Sequence, residues 1–334
     1  MIEKSKPLRH VALIGCGGTI STRAAGRFDT LDYPETGQKL AADEILTEMP
    51  ELTTFANVHG VPFREIGSSK IGPDDWLNLA RTVQNTLDTE PDLAGILILH
   101  GTATLEETAF FLDLTLRTDR PVVLVGAQRP LGTAGSDAVS NASSALRTVV
   151  SPESRGRGVL VVMNDEIHAA RDVSKRSTYR LQAFVSGAYG PLGVVDPDRV
   201  VFRRPPERSG RRFEINELTT LPRVDVLYAV AGSDGVMARA CLDAGAQGLV
   251  SAGFAPGMTA PAEREELEAA SARGTPVVQC SRAGSGRVAR RQALVRSGWI
   301  AGGDLPPHKA RVLLMLGLTQ SADPETLQTY FDEV

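Results

Sequence analysis

Two threonines, each a short distance after an apolar run, are the residues of this chain best placed to do chemistry. Thr19 follows the run 10–15 through a glycine-rich turn, and Thr102 follows the run 95–99. In open α/β sheets, ligands bind outside the carboxyl ends of the strands. Two hydroxyl groups delivered to that edge from two strands suggest a nucleophile and a partner group.

A lysine follows a third apolar run. Lys175 ends the polar segment 164–175, which comes directly after the run 158–163. A lysine withdrawn from water loses its proton more readily and can act as a base toward a hydroxyl group or water. We therefore predict that Lys175 lies at the same edge as the two threonines. Arg171 and Asp172, in the same segment, are expected to form an ion pair that organises the loop.

Other kinds of site fit the sequence less well. The turn 15–20 resembles a dinucleotide-binding motif, but Ile20 stands where the third glycine belongs, and no clear acidic residue ends a second strand about twenty residues later. A Ser-His-Asp hydrolase would normally carry Gly-x-Ser-x-Gly, which is not found here. The five histidines and three cysteines are dispersed, so we predict no metal site.

Two glutamates follow the second threonine motif. The segment 104–107 reads Thr-Leu-Glu-Glu, which matches a capping box with Thr104 as the N-cap and Glu107 as its return partner. Glu106 and Glu107 would also interact favourably with the positive end of the helix dipole. Both glutamates are therefore interpreted as structural rather than catalytic.

The apolar runs also predict the fold. They are continuous rather than alternating, as expected for strands buried on both faces of a parallel sheet, and lie at 10–15, 95–99, 121–126, 158–163, 226–231, 248–252 and 276–280. Segments with helical periodicity lie between them, at 74–87, 104–117, 137–149, 234–244 and 261–273. This alternation of strands and helices predicts a layered α/β fold.

Length and composition predict two domains. The 334 residues are more than one compact domain usually holds. The stretch 203–222 is polar and rich in proline and arginine, which is typical of a linker. We expect a large N-terminal catalytic α/β domain at 1–205, a linker at 206–222 and a smaller C-terminal α/β domain at 223–334.

Charge and cysteine content indicate the cellular setting. The net charge is −4 without a long run of one sign, so no nucleic-acid partner is suggested. The N-terminus has basic residues but no apolar h-region, and we predict neither a signal peptide nor a membrane span. Cys16, Cys241 and Cys280 are widely spaced, which favours a reducing cytoplasm over a disulfide framework.

Taken in order, the motifs of this chain resemble those of the bacterial-type L-asparaginase (asparaginase/glutaminase) family, the threonine-dependent amidohydrolases. The resemblance runs nearly end to end, through residues 17–20, 100–102, 121–130, 158–175, 183–193 and 308–316. It implies a parallel-sheet N-terminal domain and a smaller C-terminal one, a homotetramer built from dimers, and hydrolysis of a small amide with no cofactor or metal.

The resemblance also implies roles for individual residues. Thr19 would be the nucleophile that forms an acyl-enzyme, and Tyr33 from the following loop would assist it. Thr102 and Lys175 would belong to a triad that activates a hydroxyl group or water. Backbone N–H groups at the strand ends, including that of Thr102, would hold the oxyanion. The substrate-binding positions would be Gly18, Ser68, Ser69, Gly101 and Ala103.

One position departs from the family pattern. The second motif of the family normally reads His-Gly-Thr-Asp-Thr, and this chain has Ala103 where the aspartate belongs. In the family that aspartate completes the triad and binds the α-ammonium group of the substrate. The substrate-loop Ser-Gln pair appears here as Ser68 and Ser69, and residues 285–291 contain no match for the acidic residue that a partner subunit usually lends.

The departure leaves three functions open. An ammonium group in a desolvated pocket needs an anionic partner, so the natural substrate is either an amide, lactam, imide or ester without that group, or asparagine bound by a substitute residue. The third possibility is a non-catalytic protein that binds a small amide. Retention of Thr19, Thr102 and Lys175 together argues against this last reading.

Overall fold

The computed structural model describes residues 7–207 and 210–334. The chain divides into two compact units, Met1–Glu207 and Arg208–Val334. Residues 1–6 of the N-terminus considered for a signal peptide, and residues 208–209 of the predicted linker, lie outside the described residues. The described part of that linker contains neither helix nor strand. Its Phe213 packs edge-on against Tyr330, with the ring centroids 5.5 Å apart.

The first unit is built on a large mixed sheet. In the described residues, the strands of this sheet are β1 His10–Gly15, β4 Asn57–Val61, β5 Leu93–Leu99, β6 Val122–Val125, β7 Val159–Met163, β8 Glu166–Ala169, β11 Gly193–Val195 and β12 Val200–Phe202. Two separate two-stranded sheets are formed by β2 Thr22–Arg23 with β3 Gln38–Lys39 and by β9 Ser174–Lys175 with β10 Phe184–Val185. The sheet order is β12-β11-β8-β7-β6-β5-β1-β4. The strands from β7 to β4 are parallel, and β8, β11 and β12 join antiparallel.

The central strands bring two chain turns side by side. β1 lies between β4 and β5 in parallel register, and Gly15 at the end of β1 pairs with Leu99 at the end of β5. Every residue of β6 and β7 is buried, as their continuous apolar sequences require. The turns after β1 and β5 therefore leave the sheet next to each other.

Helices flank the sheet of the first unit. They are α1 Tyr33–Thr36, α2 Ala42–Glu48, α3 Pro73–Thr89, α4 Leu105–Thr115 and α5 Ala138–Val150. Short 3-10 turns lie at Thr19–Ser21, Pro50–Thr54, Ser68–Lys70, Pro152–Ser154 and Gly187–Tyr189. Trp76 of α3 stacks on Phe111 of α4 at 5.6 Å and donates its indole N–H to Thr108 Oγ1 at 3.0 Å. This contact fixes the position of α4, which begins just after Thr102.

The second unit is a smaller parallel sheet with helices. Its strands β13 Val224–Tyr228, β14 Gly248–Gly253, β15 Val277–Ser281 and β16 Ile300–Ala301 lie in that order and are all parallel. Its helices are α6 Val236–Asp243, α7 Pro261–Ala272, α8 Gln292–Arg296, α9 Pro307–Leu318 and α10 Pro324–Glu333.

The α/β fold predicted from the sequence is confirmed. All seven apolar runs form strands, although the run predicted at 226–231 is the strand Val224–Tyr228. The five predicted helices are present with their ends moved by one or two residues. Strands β4, β8, β11 and β12 and the two-residue strands β2, β3, β9, β10 and β16 have no counterpart among the predicted runs. In the described part of the chain, no helix combines the length and apolar character needed to cross a bilayer.

Candidate active site

Two glycines hold the turns after β1 and β5 against each other. Gly18 precedes Thr19 with φ at 89°, in the left-handed region. A Cβ atom on Gly18 would lie 2.1 Å from Gly101 Cα, and one on Gly101 would lie 2.6 Å from Ser68 Oγ. The three loops that carry Thr19, Thr102 and Ser68 therefore meet at glycines, where only a hydrogen atom fits.

Replacing Gly18 with alanine is expected to destabilise the fold and abolish function. The left-handed conformation costs an alanine about 1–2 kcal/mol, and forcing a methyl group against the Gly101 backbone adds about 1–3 kcal/mol. Thermal unfolding and ligand binding would measure both effects. The matched control is Gly26→Ala, since a Cβ atom there would come no closer than 3.9 Å to Asp29 Cβ. An unchanged melting temperature in Gly18→Ala would contradict the contact.

The first hydroxyl of the site is paired with a phenol. Thr19 begins the 3-10 turn that follows Gly18, and its Oγ1 lies 2.8 Å from the hydroxyl of Tyr33, where either atom can donate. Tyr33 begins α1 at the end of an exposed loop, and both side chains are partly buried. Thr22 donates its hydroxyl to the Gly18 carbonyl at 2.8 Å, which fixes the turn. A threonine hydroxyl in this position can exchange a proton with the phenol.

The second hydroxyl is paired with an amine. Lys175 donates from Nζ to Thr102 Oγ1 at 2.7 Å. Thr102 is buried and Lys175 is partly buried, on a short strand in which it pairs with Phe184. Burial lowers the pKa of Lys175 below its usual value, although the nearby carboxylate of Glu106 partly raises it. A lysine with a lowered pKa is a better base near neutral pH than an ordinary one.

The turn before α4 is held by hydrogen bonds with Ser68. Ser68 Oγ accepts the N–H of Ala103 at 3.1 Å, and Thr104 donates its hydroxyl to the Ser68 carbonyl at 2.9 Å. Thr104 occupies the N-cap position of α4, but its side chain makes no capping hydrogen bond. The side-chain cap predicted from Thr104 is therefore wrong, because the N–H of Glu107 donates to the backbone carbonyl of Thr104 at 3.1 Å instead of to its hydroxyl.

A buried glutamate contacts the site lysine. Glu106, in the first turn of α4, is only 7% exposed, and its Oε1 accepts the backbone N–H of Lys175 at 3.2 Å. The sequence favours a purely structural charge at a helix end for Glu106 and does not predict its contact with Lys175. The sequence signal is only its nearness to Thr102, four residues earlier, because Thr102 lies in the turn before α4 and helical i,i+4 spacing does not apply to it.

The polar segment after β7 is organised by one ion pair of its own and by contacts with residues further along the chain. His168 Nδ1 lies 2.8 Å from Ser186 Oγ, and Asp172 forms ion pairs with Arg171 at 3.5 Å and Arg204 at 3.1 Å. The predicted Arg171–Asp172 pair is confirmed. Among residues 7–207 and 210–334, no group of three or more His, Cys, Asp and Glu side chains is arranged to hold a metal ion.

Models of two known protein domains match this chain over most of its length. Residues 10–208 match the model described as "Asparaginase, N-terminal", and residues 223–331 match the "Glutaminase/Asparaginase C-terminal domain". The chain belongs to the asparaginase family. The resemblance seen in the motifs is thus confirmed over both units of this asparaginase-family protein.

Individual relatives of this family member are similar over nearly their whole length. A probable periplasmic L-asparaginase of Haemophilus influenzae is 38% identical, with 99% of this chain and 95% of that protein covered. L-asparaginase 2 of Escherichia coli is 37% identical, with 98% and 93% covered. A crystal structure of a probable cytoplasmic L-asparaginase from Campylobacter jejuni superposes with a TM-score of 0.94 at 34% identity, covering 98% of this chain and 100% of that one.

The predicted site residues of this asparaginase-family protein fall into two groups. The structure brings together the pairs Thr19–Tyr33 and Thr102–Lys175, and joins their loops through Gly18, Gly101 and Ser68. Ala103 and Ser69 are both exposed. Within the described residues, the hydroxyl of Ser69 makes no hydrogen bond, and the methyl group of Ala103 offers neither charge nor hydrogen-bonding atoms.

Proposed function

We propose that this chain is an asparaginase-type amidohydrolase that uses Thr19 as its nucleophile and passes through an acyl-enzyme. The observation that carries the proposal is the pairing of two hydroxyls with proton-transfer groups, Thr19 with Tyr33 at 2.8 Å and Thr102 with Lys175 at 2.7 Å. The names of the relatives support the reaction class, hydrolysis of a carbon–nitrogen amide bond. No cofactor or metal enters the proposed reaction.

The proposed reaction has two halves. Thr19 Oγ1 attacks the amide carbonyl carbon while its proton passes toward Tyr33, and the oxyanion is held by backbone N–H groups that include Thr102. The carbon–nitrogen bond then breaks, the nitrogen takes a proton and leaves as ammonia or an amine, and an ester to Thr19 remains. In the second half, water activated through Thr102 and Lys175 attacks that ester and regenerates the free hydroxyl.

A second candidate concerns the substrate rather than the reaction. Ala103 is exposed beside Thr102, and a methyl group cannot pair with an ammonium ion. Leaving a buried ammonium group without an anionic partner costs several kcal/mol. This residue favours a substrate without the α-ammonium group of asparagine, such as succinamate, a lactam, an imide or an ester, hydrolysed by the same Thr19 chemistry.

A substrate panel tests the proposed function. We expect ammonia release from at least one of L-asparagine, D-asparagine, L-glutamine and succinamate, or ring opening of a cyclic imide or lactam, with an ester as a control. Activity confined to compounds without an ammonium group would support the second candidate, and efficient turnover of L-asparagine would contradict it. Absence of activity on every compound would favour a small-amide binding protein and contradict the proposed reaction.

Restoring the carboxylate tests the role of position 103. In Ala103→Asp we expect kcat/KM for L-asparagine to rise relative to succinamate by roughly 10-fold or more, because an aspartate supplies a partner for the ammonium group. Ala103→Asn is the matched control, since it adds similar volume without the charge. An equal gain in both variants would show that charge is not the reason.

Location and assembly belong to the same proposal. We propose a cytoplasmic homotetramer, following the family resemblance and the cytoplasmic relative of known structure. One relative is named as periplasmic, so fractionation of the native host is the relevant measurement. Sedimentation equilibrium of the purified protein would measure the subunit number, and a monomer at micromolar concentration would contradict the tetramer.

A further inference from the structure

Glu106 is a buried charge that the proposed reaction does not use. We propose that Glu106 is a positioning residue for Lys175, which it holds by the backbone and whose ammonium form it stabilises by its charge. The inference rests on the proposed function, in which Lys175 moves a proton through Thr102. In this proposal the carboxylate partner of Lys175 is Glu106, because Ala103 has no carboxylate.

The geometry holds Lys175 at both ends. Its Nζ contacts Thr102 Oγ1 at 2.7 Å, and its backbone N–H donates to Glu106 Oε1 at 3.2 Å. Thr102 and Glu106 lie four residues apart on the segment that leads into α4, and both are buried. One segment therefore sets the position of the lysine backbone and receives its amine. A shift of Lys175 relative to α4 would break both contacts together.

Glu106 supplies a negative charge close to Lys175. A buried carboxylate is costly unless it is paired or hydrogen-bonded. The neighbouring strand β10 consists of Phe184 and Val185, which do not titrate, and Ala103 carries no charge. Burial lowers the pKa of Lys175, and the charge that opposes this effect is that of Glu106.

The same charge has a use in the reaction. When Lys175 accepts a proton through Thr102, its amine becomes an ammonium ion beside the Glu106 carboxylate. When the lysine returns the proton, the positive charge on its amine disappears again. In this proposal Glu106 exchanges no proton and forms no bond with the substrate. Its charge raises the pKa of Lys175 and so stabilises the ammonium form between acceptance and return of the proton.

Glu106→Gln tests the inference with little change of shape. Glutamine keeps an oxygen that can accept the Lys175 N–H, so the fold should persist, but the negative charge is lost. An opposite charge at close range moves a pKa by about 1–3 units. We expect the Lys175 titration to move to lower pH by about one unit. The acidic limb of the profile of kcat against pH should move to lower pH by the same amount, because a weaker base is deprotonated at lower pH.

Two readouts separate this inference from the proposed function. Competitive acetylation followed by mass spectrometry gives the titration midpoint of Lys175 without any substrate, and kcat against pH gives the kinetic limb. A midpoint in Glu106→Gln equal to that of the wild type would overturn the inference, whatever Thr19→Ala does to turnover. Glu107→Gln, the same change one residue later on α4, is the control and should leave the midpoint in place.

A rescue variant distinguishes charge from packing. In Ala103→Asp/Glu106→Gln a carboxylate returns to the turn beside Thr102, and we expect the Lys175 midpoint to rise again toward that of the wild type. A midpoint that stays low would overturn a role through charge. If Glu106→Gln is recovered only unfolded, Glu106→Met takes its place. It also removes the charge at a similar side-chain length, and a Lys175 midpoint equal to that of the wild type would overturn the inference.

Discussion

Thr19→Ala is expected to lower kcat for the best substrate of the panel by roughly 10⁴-fold or more, the scale seen when a nucleophile is removed. Without the hydroxyl that lies 2.8 Å from Tyr33, no acyl-enzyme can form. The apparent affinity for the substrate should change less than kcat, since the substitution removes only the hydroxyl and one methyl group of Thr19. Steady-state kinetics and mass spectrometry of the acylated protein would measure both effects.

The neighbouring serine gives a matched control for that loss. Ser21 lies on the same 3-10 turn, and within the described residues its buried hydroxyl has no hydrogen-bond partner. Ser21→Ala should therefore keep nearly full turnover, and Thr19→Ser should keep a measurable part of it because a hydroxyl is still present. Turnover in Thr19→Ala close to that of the wild type would assign the nucleophile elsewhere.

The strand ends were the part of the site most open to prediction from sequence. Continuous apolar runs locate β1, β5 and β7, and a parallel sheet brings their carboxyl ends to one edge. The residues that follow those runs can therefore be expected to approach one another without any knowledge of side-chain contacts. The contact between Lys175 and Thr102 fits that expectation, although the two residues are 73 positions apart.

Local signals were insufficient where backbone geometry and distant residues decided the contacts. The sequence Thr-Leu-Glu-Glu favours a capping box, but the N–H of Glu107 donates to the Thr104 carbonyl, and the Thr104 hydroxyl donates to the carbonyl of Ser68, 36 residues away. The contact of Glu106 with Lys175 depends in the same way on where β9 lies against α4. Strand β8 was missed because it is short and begins with Glu166 directly after a turn in which Asn164 and Asp165 have positive φ angles.

Lys175→Met is expected to lower kcat by roughly 10²–10⁴-fold, the range for loss of a general base. Methionine has a similar length and no proton to exchange. In the wild type, turnover should fall as the pH drops through the pKa of Lys175, because the protonated amine cannot accept a proton. Burial places that pKa below the usual lysine value. The acidic limb assigned to Lys175 should therefore disappear in the methionine variant when kcat is measured across pH.

An exposed lysine provides the comparison that makes this result specific. Lys70 lies on the turn that follows Ser68, and Lys70→Met removes the same charge from the protein surface. Its pH profile should overlay that of the wild type, whereas Lys175→Arg, which keeps a charge that cannot be lost, should be as slow as the methionine variant. If Lys175→Met kept the acidic limb, the titrating group would be another residue. The hydrogen bond between Lys175 and Thr102 would then serve only to hold the segment after β7 against the end of β5.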